Sequence, residues 1–558
     1  MKRSLWLLLL LATQPVAALA QVSLPTETAA ARSLDARNLR AHIDFLASDL
    51  LEGRGPGSRG DALTQRYLAT QFQLLGLEPG APGGGYLQPF ELVGVTGHPD
   101  TLTFTQGTSA TVLRSHEDFI ASAGQPSEHS ELDGSELVFV GYGIQAPEYA
   151  WDDFKGQDLT GKTLLFLNND PDDDPALFAG RTRLRYGRWD YKYAQAVKQG
   201  AAGAILLHTT PSAGYPWQVV QTSWAGEQFE LPASPEGSRL RMKAWMTEEA
   251  TRRVLQGAGH DLDALRTAAR SRDFQPVALG VKVSTRFDSQ VRRRPTANVL
   301  ALLPGSDPTL AREVVLYTAH HDHLGLKADA KPGEDAIYNG AVDNASGVAA
   351  LLEVARAFKR LPKAPPRSIL FAAVAAEEQG LLGSRYLAAH LPVAAGRVAA
   401  NINMDGLNIH GRTRDVTVIG LGKCSLDGPL TALVRAQGRR VQPDQLPDRG
   451  FFYRSDQYSF AQKGIPTVYF SSGMDFIGRP AGWGQAARER WEREHYHQPS
   501  DELPSDTDLS GAVEDVQLFF LLGAHVARTR TPPQWNPGDE FQAPRQRALD
   551  ALKSEEAK

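Results

Sequence analysis

Cysteine is nearly absent, since the chain of 558 residues contains only Cys424. One thiol cannot form an intrachain disulfide, and it cannot build a metal site from several thiolates. A transition metal would therefore have to be held by imidazole and carboxylate groups. Long basic runs are absent as well, and 59 Lys and Arg residues against 64 Asp and Glu residues give a net charge of −5. We therefore expect no nucleic-acid partner.

Long apolar runs are missing beyond the first twenty residues, so no later segment reaches the roughly 18 apolar residues of a membrane-spanning helix. The first twenty residues have the pattern of an export signal. Lys2 and Arg3 are followed by an apolar stretch at residues 5–12 and by small residues that end at Ala20. We expect residues 1–20 to be removed as a signal peptide. The exported protein, periplasmic or secreted, is then expected to have no membrane partner.

The composition suits a globular chain, because 42% of the residues are hydrophobic and 22% are charged. Hydrophobic residues recur at helical spacing over residues 36–52 and 60–77. The G-x-G-x-x-G string at residues 55–60 follows a helical pattern rather than a strand, so it predicts a turn and not a nucleotide-binding loop. Between residues 131 and 285, short strand-like runs alternate with turns rich in Gly and Asp, which is typical of an inserted domain.

Strands and helices alternate along the remaining sequence. The hydrophobic pattern predicts strands at residues 314–317, 369–374 and 398–404, and helices at residues 346–358 and 383–391. Such alternation predicts an α/β fold with a mixed, mostly parallel central sheet flanked by helices.

Potential metal ligands cluster at the predicted strand ends, where ligands gather in open α/β sheets. Each of them alone has an ordinary structural explanation, such as a helix cap or a solvated carboxylate. Together they are rich in carboxylates with no Arg or Lys close in sequence, so they would repel one another unless a cation or bound protons compensated. Imidazole and carboxylate ligands suit zinc first, with manganese or cobalt as substitutes. The set comprises His320, Asp343, Glu377, Glu378, Asp405 and His497.

These residues stand in the motifs HHDH, GAVDNASG, AAEEQG, NMDG and YHQPSD, in that order. The motifs resemble those of exported bacterial zinc-dependent exopeptidases of the aminopeptidase and glutamate-carboxypeptidase type, whose zinc ions act together in catalysis. The resemblance spans residues 36–130 and 290–530, and the stretch between them is similar to a protease-associated insert, notably at residues 153–156 and 199–204. The implied fold is a three-layer sandwich with a β-rich protease-associated domain inserted.

The sequence patterns and the resemblance together predict five segments. The insert interrupts the sequence of the peptidase domain. The segments are a signal peptide (1–20), the N-terminal part of the peptidase domain (21–130), the protease-associated insert (131–285), the catalytic metallopeptidase domain (286–535) and a polar, loosely held tail (536–558).

The resemblance also implies two zinc ions per chain. Asp343 would bridge the two ions. His320 and Asp405 would complete the site of one ion, and Glu378 and His497 the site of the other.

Further residues are implied to assist catalysis. Glu377 would be the general base, close to the metals without binding them. Asp322 would accept the second N–H of a zinc-binding imidazole and so fix its tautomer. Tyr496 would steady the developing oxyanion. His321 and His323 match no ligand position and are expected to be structural or to line the pocket.

The implied function is an exported dizinc aminopeptidase that removes N-terminal residues from short peptides through a metal-bridged water and the base Glu377. Three alternatives are a carboxypeptidase or dipeptidase on the same fold, a non-catalytic receptor-like binding protein, and a single-zinc glutaminyl cyclase. The complete ligand set disfavours the binding protein. Arg454 is the candidate for reading a substrate carboxylate, and a surface salt bridge is its alternative role.

Overall fold

The structure, a computed structural model, describes residues 22–172, 174, 177–224, 226–232, 240–328 and 330–557. The expected signal peptide at residues 1–20 lies outside this part of the chain. Two large β-sheets organise the described residues, with ten strands in one sheet and eight in the other. Within the same residues, no helix is both long and apolar enough to cross a bilayer.

The ten-stranded central sheet is mixed. Four neighbouring strands at its centre run parallel to one another. Antiparallel strands extend the sheet on both sides. The strands predicted near residues 314, 369 and 398 are confirmed as members of the parallel set. In spatial order the strands are Gln228–Glu230, Leu87–Thr96, Gln290–Leu303, Ser368–Val374, Val314–His320, Val398–Asn403, Thr467–Ser472, Asp415–Ile419 and Arg440–Pro443, with Glu78–Pro79 paired beside Gln290–Leu303.

Helices cover both faces of the central sheet. Val315 and Tyr317 of one central strand belong to the hydrophobic core that includes the helix Ser346–Lys359. Val314 and Leu316 of the same strand belong to a second core on the opposite face. Because both faces are buried, the central strands are almost continuously apolar. The predicted α/β fold with helical layers is therefore confirmed.

Helices occur where the hydrophobic spacing predicts them. The G-x-G-x-x-G string joins the 3₁₀ helix Asp49–Arg54 to the helix Arg59–Leu74, so the predicted turn is confirmed. The α-helices are Pro25–Ala31, Ala36–Leu46, Arg59–Leu74, Trp189–Lys198, Thr210–Ala213, Trp217–Trp224, Glu248–Gly257, Leu262–Ala269, Ser346–Lys359, Leu382–Ala389, Asp427–Ala436, Gln457–Ala461, Trp483–Glu494, Ser510–Arg528 and Gln542–Glu556.

The eight-stranded sheet begins earlier in the chain than the expected insert boundary at residue 131. The long strand Val277–Asp288 pairs with both Thr101–Gln106 and His129–Phe139, and this pairing draws the earlier strands into the sheet. We therefore propose that the insert starts near Thr101, and its protease-associated character stays a prediction. In spatial order the strands are Ser109–Arg114, Thr101–Gln106, Val277–Asp288, His129–Phe139, Thr163–Leu167, Gly203–His208, Met242–Thr247 and Phe119–Ala123.

The C-terminal segment is held more firmly than its polar sequence indicates. Its helix Gln542–Glu556 packs against the turn Ala395–Arg397. Phe541 and Arg545 are buried, and Arg545 donates a hydrogen bond of 3.2 Å to the carbonyl of Val398. The expectation of a loosely held tail is therefore wrong, because a few anchoring side chains suffice to dock an otherwise polar helix.

Candidate active site

The carboxyl ends of the parallel strands bring one group of predicted site residues together. His320 ends the strand Val314–His320, and its Nε2 atom lies 3.3 Å from Asp343 Oδ1 and 3.3 Å from Asp405 Oδ1. The potential ligand atoms of these residues all lie within 4.8 Å of one another. One metal ion could be held by these three side chains.

A second group faces the other carboxylate oxygen of Asp343. His497 Nε2 lies 3.5 Å from Asp343 Oδ2 and 2.9 Å from Glu378 Oε2. This nitrogen is buried and makes no hydrogen bond of normal geometry with any described residue. Asp343 thus lies between two imidazoles, one at each of its oxygens.

The electrostatics of this cluster suit a bound cation. Burial by itself lowers the pKa of His497, but Glu378 and Asp343 outweigh it and raise that pKa to about 9. Burial, together with the charge of Glu378, raises the pKa of Glu377 well above its usual range. A divalent ion would relieve this concentration of negative charge. The donor set, in which His497 Nε2 faces two carboxylates without a hydrogen bond of normal geometry, therefore fits zinc.

Asp322 holds the backbone of the two glutamates. Its carboxylate accepts the N–H of Glu377 at 3.0 Å and that of Glu378 at 3.4 Å. The Nδ1 atom of His320 lies 3.2 Å from the backbone carbonyl of Asp322 and 3.8 Å from its carboxylate. The partner nearest to the imidazole is thus the carbonyl rather than the predicted carboxylate.

Asp501 orients the segment that carries Asp343. Its carboxylate accepts the N–H groups of Val342 and Asp343, each at 3.0 Å. Burial raises the pKa of Asp501 to about 6. Sequence reasoning missed this residue, although it ends the YHQPSD motif.

The buried Arg54 stabilises the backbone segments that carry the site residues. Arg54 donates hydrogen bonds to the carbonyl groups of His321, Asn339 and Gly340, at 2.9, 2.6 and 2.8 Å. Burial lowers its pKa to about 10. It thereby ties the loop after one strand to the segment that leads to Asp343. No local sequence signal distinguishes this arginine from a surface one.

The two remaining histidines of the HHDH motif have different positions. His321 Nε2 lies 3.0 Å from Asp61 Oδ1 in the protein interior, which agrees with a structural role. His323 Nδ1 lies 2.6 Å from Glu378 Oε1. His323 therefore contacts a predicted ligand directly, although the resemblance gives it no ligand position.

Tyr496 is located beside the second imidazole. Its ring centroid lies 3.9 Å from that of His497, and its hydroxyl accepts a hydrogen bond of 3.2 Å from Arg454. Burial raises the pKa of Tyr496 well above its usual range, so the phenol stays protonated and available as a donor.

The helix Trp217–Trp224, which belongs to the predicted insert, contacts the site. The hydroxyl of Ser223 lies 2.8 Å from His497 Nδ1. The neighbouring Gln218 donates a hydrogen bond of 3.3 Å to the side chain of Gln498. The sequence gives no sign of Ser223, because 274 positions separate it from His497 and nothing in its own segment indicates the contact.

Two cavities border the site. The larger one has a volume of about 210 Å³ and touches Asp343, Glu377, Glu378, Asp405 and Tyr496. The smaller one, of about 90 Å³, lies between the insert and the site, and it also touches Glu377, Glu378 and Tyr496. The rest of the larger cavity wall is partly polar, with Asp444, Arg454, Arg488 and Glu492 among its charged residues. Its apolar and aromatic part is formed by Leu407, Ile409, Leu446, Phe451, Tyr469, Met474, Phe476 and Trp491.

Comparison with known proteins finds similarity to peptidases. The family model described as Peptidase family M28 matches residues 298–521, which include every potential ligand described above. The leupeptin-inactivating enzyme 1 of Streptomyces exfoliatus is 27% identical over 240 residues, covering 42% of this chain and 50% of that protein. A probable zinc metalloprotease of Pyrenophora tritici-repentis (strain Pt-1C-BFP) is 52% identical over 66 residues, covering 12% of this chain and 15% of that protein. The chain thus spans half or less of the length of these relatives.

Among solved structures, an aminopeptidase from Aneurinibacillus sp. strain AM-1 has a similar fold. The two proteins are 22% identical with a TM-score of 0.53, and the alignment covers 91% of this chain and 97% of that one. At this level of identity the likeness establishes a common fold. The activity has to be argued from the site itself.

Proposed function

Because the model of peptidase family M28 matches residues 298–521, we propose that this chain is a zinc-dependent aminopeptidase that removes N-terminal residues from short peptides. The observation that carries the proposal is the position of Asp343, whose Oδ1 lies 3.3 Å from His320 Nε2 and whose Oδ2 lies 3.5 Å from His497 Nε2. A carboxylate with an imidazole at each oxygen is the arrangement expected of a group shared by two metal ions. We propose export as well, from the pattern of residues 1–20.

Two zinc ions would be held by five side chains. We assign His320 and Asp405 to one ion, Glu378 and His497 to the other, and Asp343 to both. When bound, zinc supplies Lewis-acid chemistry, which acidifies water and polarises carbonyl groups. Manganese and cobalt are chemically acceptable substitutes for this ligand set.

Glu377 moves the proton in the proposed reaction. Its Oε2 atom lies 3.9 Å from His320 Nε2, and its backbone is held by Asp322. Glu377 takes a proton from the attacking water and passes it to the leaving amine.

Tyr496 is proposed to stabilise the oxygen of the scissile carbonyl as negative charge develops on it. The phenol accepts a hydrogen bond from Arg454, which leaves its own O–H free to donate. A preorganised donor at such a position contributes to catalysis because it needs no reorientation during the reaction.

Blocking the substrate amine tests the proposed aminopeptidase activity. Carboxylates border both cavities beside Glu377, so this site attracts a positively charged α-amine. We expect N-acetylation of a tripeptide to lower kcat/KM by about 100-fold or more, because it removes a charge-assisted interaction. Mass spectrometry of the products measures this, and the Glu377→Gln protein controls for contaminating peptidases. Release of C-terminal residues from the acetylated peptide would instead support a carboxypeptidase.

Ser223 is predicted to orient His497 for metal binding. With Nδ1 engaged by the hydroxyl, the imidazole presents Nε2 toward Asp343 and Glu378. Loss of such a supporting contact lowers metal affinity by roughly 10–100-fold. We expect this loss for Ser223→Ala, measured by zinc competition against a chromophoric chelator.

Thr222 of the same helix gives the matched control for this experiment. Its hydroxyl hydrogen-bonds to the carbonyl of Gln218 within the helix and not to the site. Thr222→Ala is therefore expected to keep normal zinc affinity. Equal zinc affinities of the Ser223→Ala and Thr222→Ala proteins would refute the positioning role of Ser223.

A further inference from the structure

Arg454 borders the site from both sides. It lines the larger cavity and also the smaller cavity next to the insert. Both cavities also contain Glu377, Glu378 and Tyr496 in their walls. A peptide that extends from the site into either cavity therefore passes close to the guanidinium of Arg454.

The charge of Arg454 has no carboxylate partner among the described residues. Its one described hydrogen bond goes to the neutral hydroxyl of Tyr496, at 3.2 Å. Glu492, an acid of the same cavity wall, is already paired with Arg449 at 2.7 Å and with Arg488 at 3.0 Å. This arrangement differs from a surface salt bridge, the alternative role considered for Arg454 from the sequence.

Aromatic rings hold the guanidinium in place without neutralising it. Its central carbon lies 5.4 Å from the ring centre of Tyr215, 5.3 Å from that of Phe451 and 6.0 Å from that of Tyr496. Tyr215 belongs to the insert, so both parts of the chain contribute to this setting. A guanidinium stacked in this way is preorganised to form hydrogen bonds with a planar anion.

Two further arginines lie near Arg454. Arg188 lines the cavity next to the insert, and its buried Nε atom makes no hydrogen bond to a described residue but lies 3.6 Å from Asp190 Oδ1. Arg183 is also buried, and two of its guanidinium nitrogens lack such a partner. Burial lowers the pKa of Arg183 to about 10 despite nearby Asp170, and the charges of Arg454 and Arg188 act in the same direction. The charges of Arg454 and Arg188 therefore both act on Arg183.

We propose that Arg454 binds a carboxylate group of the peptide substrate, at a subsite where the two cavities meet beside Tyr496. This inference rests on the proposed peptidase function. A carboxylate accepts two parallel hydrogen bonds from a guanidinium and supplies the missing counter-charge. The carboxylate is either the C-terminus of a short peptide or an acidic side chain. In the first case the subsite selects peptides of a few residues, because the C-terminus must lie close to the cleaved bond.

Kinetics with matched substrates test the subsite. We expect a tripeptide with a free C-terminus to have a KM about 10–100-fold below that of its C-terminal amide, because a charge-assisted hydrogen bond contributes a binding free energy of this size. In Arg454→Gln this difference in KM between acid and amide should disappear, whatever loss of kcat follows from the missing hydrogen bond to Tyr496. The second arm compares tripeptide amides that begin with Glu or with Gln. If the enzyme prefers the Glu peptide and loses this preference in Arg454→Gln, the ligand of Arg454 is an acidic side chain.

Arg479→Gln is the matched control variant. Arg479 also stacks on an aromatic ring, at 4.7 Å from the centre of Trp483, but it is exposed and lines neither cavity. The Arg479→Gln protein should show the same difference in KM between the free-acid and amide tripeptides as the unmodified protein. If Arg454→Gln lowers kcat/KM equally for acids and amides in both arms, Arg454 acts only by positioning Tyr496, and the proposal is overturned.

Calorimetric binding separates this proposal from the proposed function. The zinc-loaded Glu377→Gln protein is titrated with the acid and amide forms of both tripeptides, with and without Arg454→Gln. Tighter binding of the carboxylate-bearing form that depends on Arg454 supports the subsite even if no peptide is hydrolysed. Equal affinities for all forms overturn the subsite even if the enzyme is an active aminopeptidase.

Discussion

Replacing Glu377 with Gln is expected to lower kcat by roughly 10²–10⁴-fold, the usual contribution of a positioned general base. Glutamine has nearly the same shape, and the contact with Asp322 uses the backbone N–H of residue 377, so that contact is kept. The substitution removes only the group that accepts the proton. We therefore expect KM and zinc content to change little, which steady-state kinetics and metal analysis measure.

Substitution of the adjacent Glu378 is expected to have a different effect from substitution of Glu377. Its Oε2 atom lies 2.9 Å from His497 Nε2, and its Oε1 atom lies 2.6 Å from His323 Nδ1. Glu378→Gln is therefore expected to lose zinc as well as activity, whereas Glu377→Gln loses activity alone. If Glu377→Gln retained full kcat with zinc bound, another residue would be the base.

Replacing Asp343 with Ala is expected to abolish both zinc binding and activity, with a loss in kcat/KM of at least about 10⁴-fold. Both of its carboxylate oxygens face imidazoles, so its removal would leave each proposed zinc ion without a shared ligand. The remaining acids would also repel one another more strongly, because a cation no longer screens them. The zinc-to-protein ratio after dialysis gives the measurement, and circular dichroism shows whether the fold is retained.

An exposed aspartate provides the control for Asp343→Ala. Asp475 pairs with Arg414 at 3.0 Å and with Arg440 at 2.7 Å on the surface. Exposed pairs contribute little to stability, so Asp475→Asn should keep normal zinc content and activity. Two zinc ions retained by Asp343→Ala would contradict the bridging role. One zinc ion in the unmodified protein would contradict the dizinc assignment and favour the single-zinc alternative.

Much of the peptidase fold could be predicted from the local pattern of apolar residues in the sequence. The apolar runs near residues 314 and 369 are buried on both faces and appear as Val314–His320 and Ser368–Val374. Parallel strands end at a common edge, so polar residues after such strands can be predicted to meet. This is why His320 and Glu377, which are distant in sequence, could be assigned to one site before their positions were known.

The contacts that position the site residues could not be predicted from such local patterns. Asp322 illustrates this, because its carboxylate engages the backbone of Glu377 while its carbonyl faces His320. Which of its oxygens meets the imidazole depends on the path of two loops and not on residue type. The same limit applies to Arg54, whose role consists of hydrogen bonds to the backbone carbonyl groups of Leu46, His321, Asn339 and Gly340.

Composition and periodicity in the sequence define the strand types, the helical layers and the imidazole and carboxylate chemistry of the site. Tertiary structure decides which segments meet: Thr101–Gln106 joins the sheet of the insert, and Ser223 reaches His497. The physical reason is that hydrophobic spacing records only which face of an element is buried. Strand pairing and side-chain contacts between distant segments depend on how the whole chain packs, and no local pattern records this.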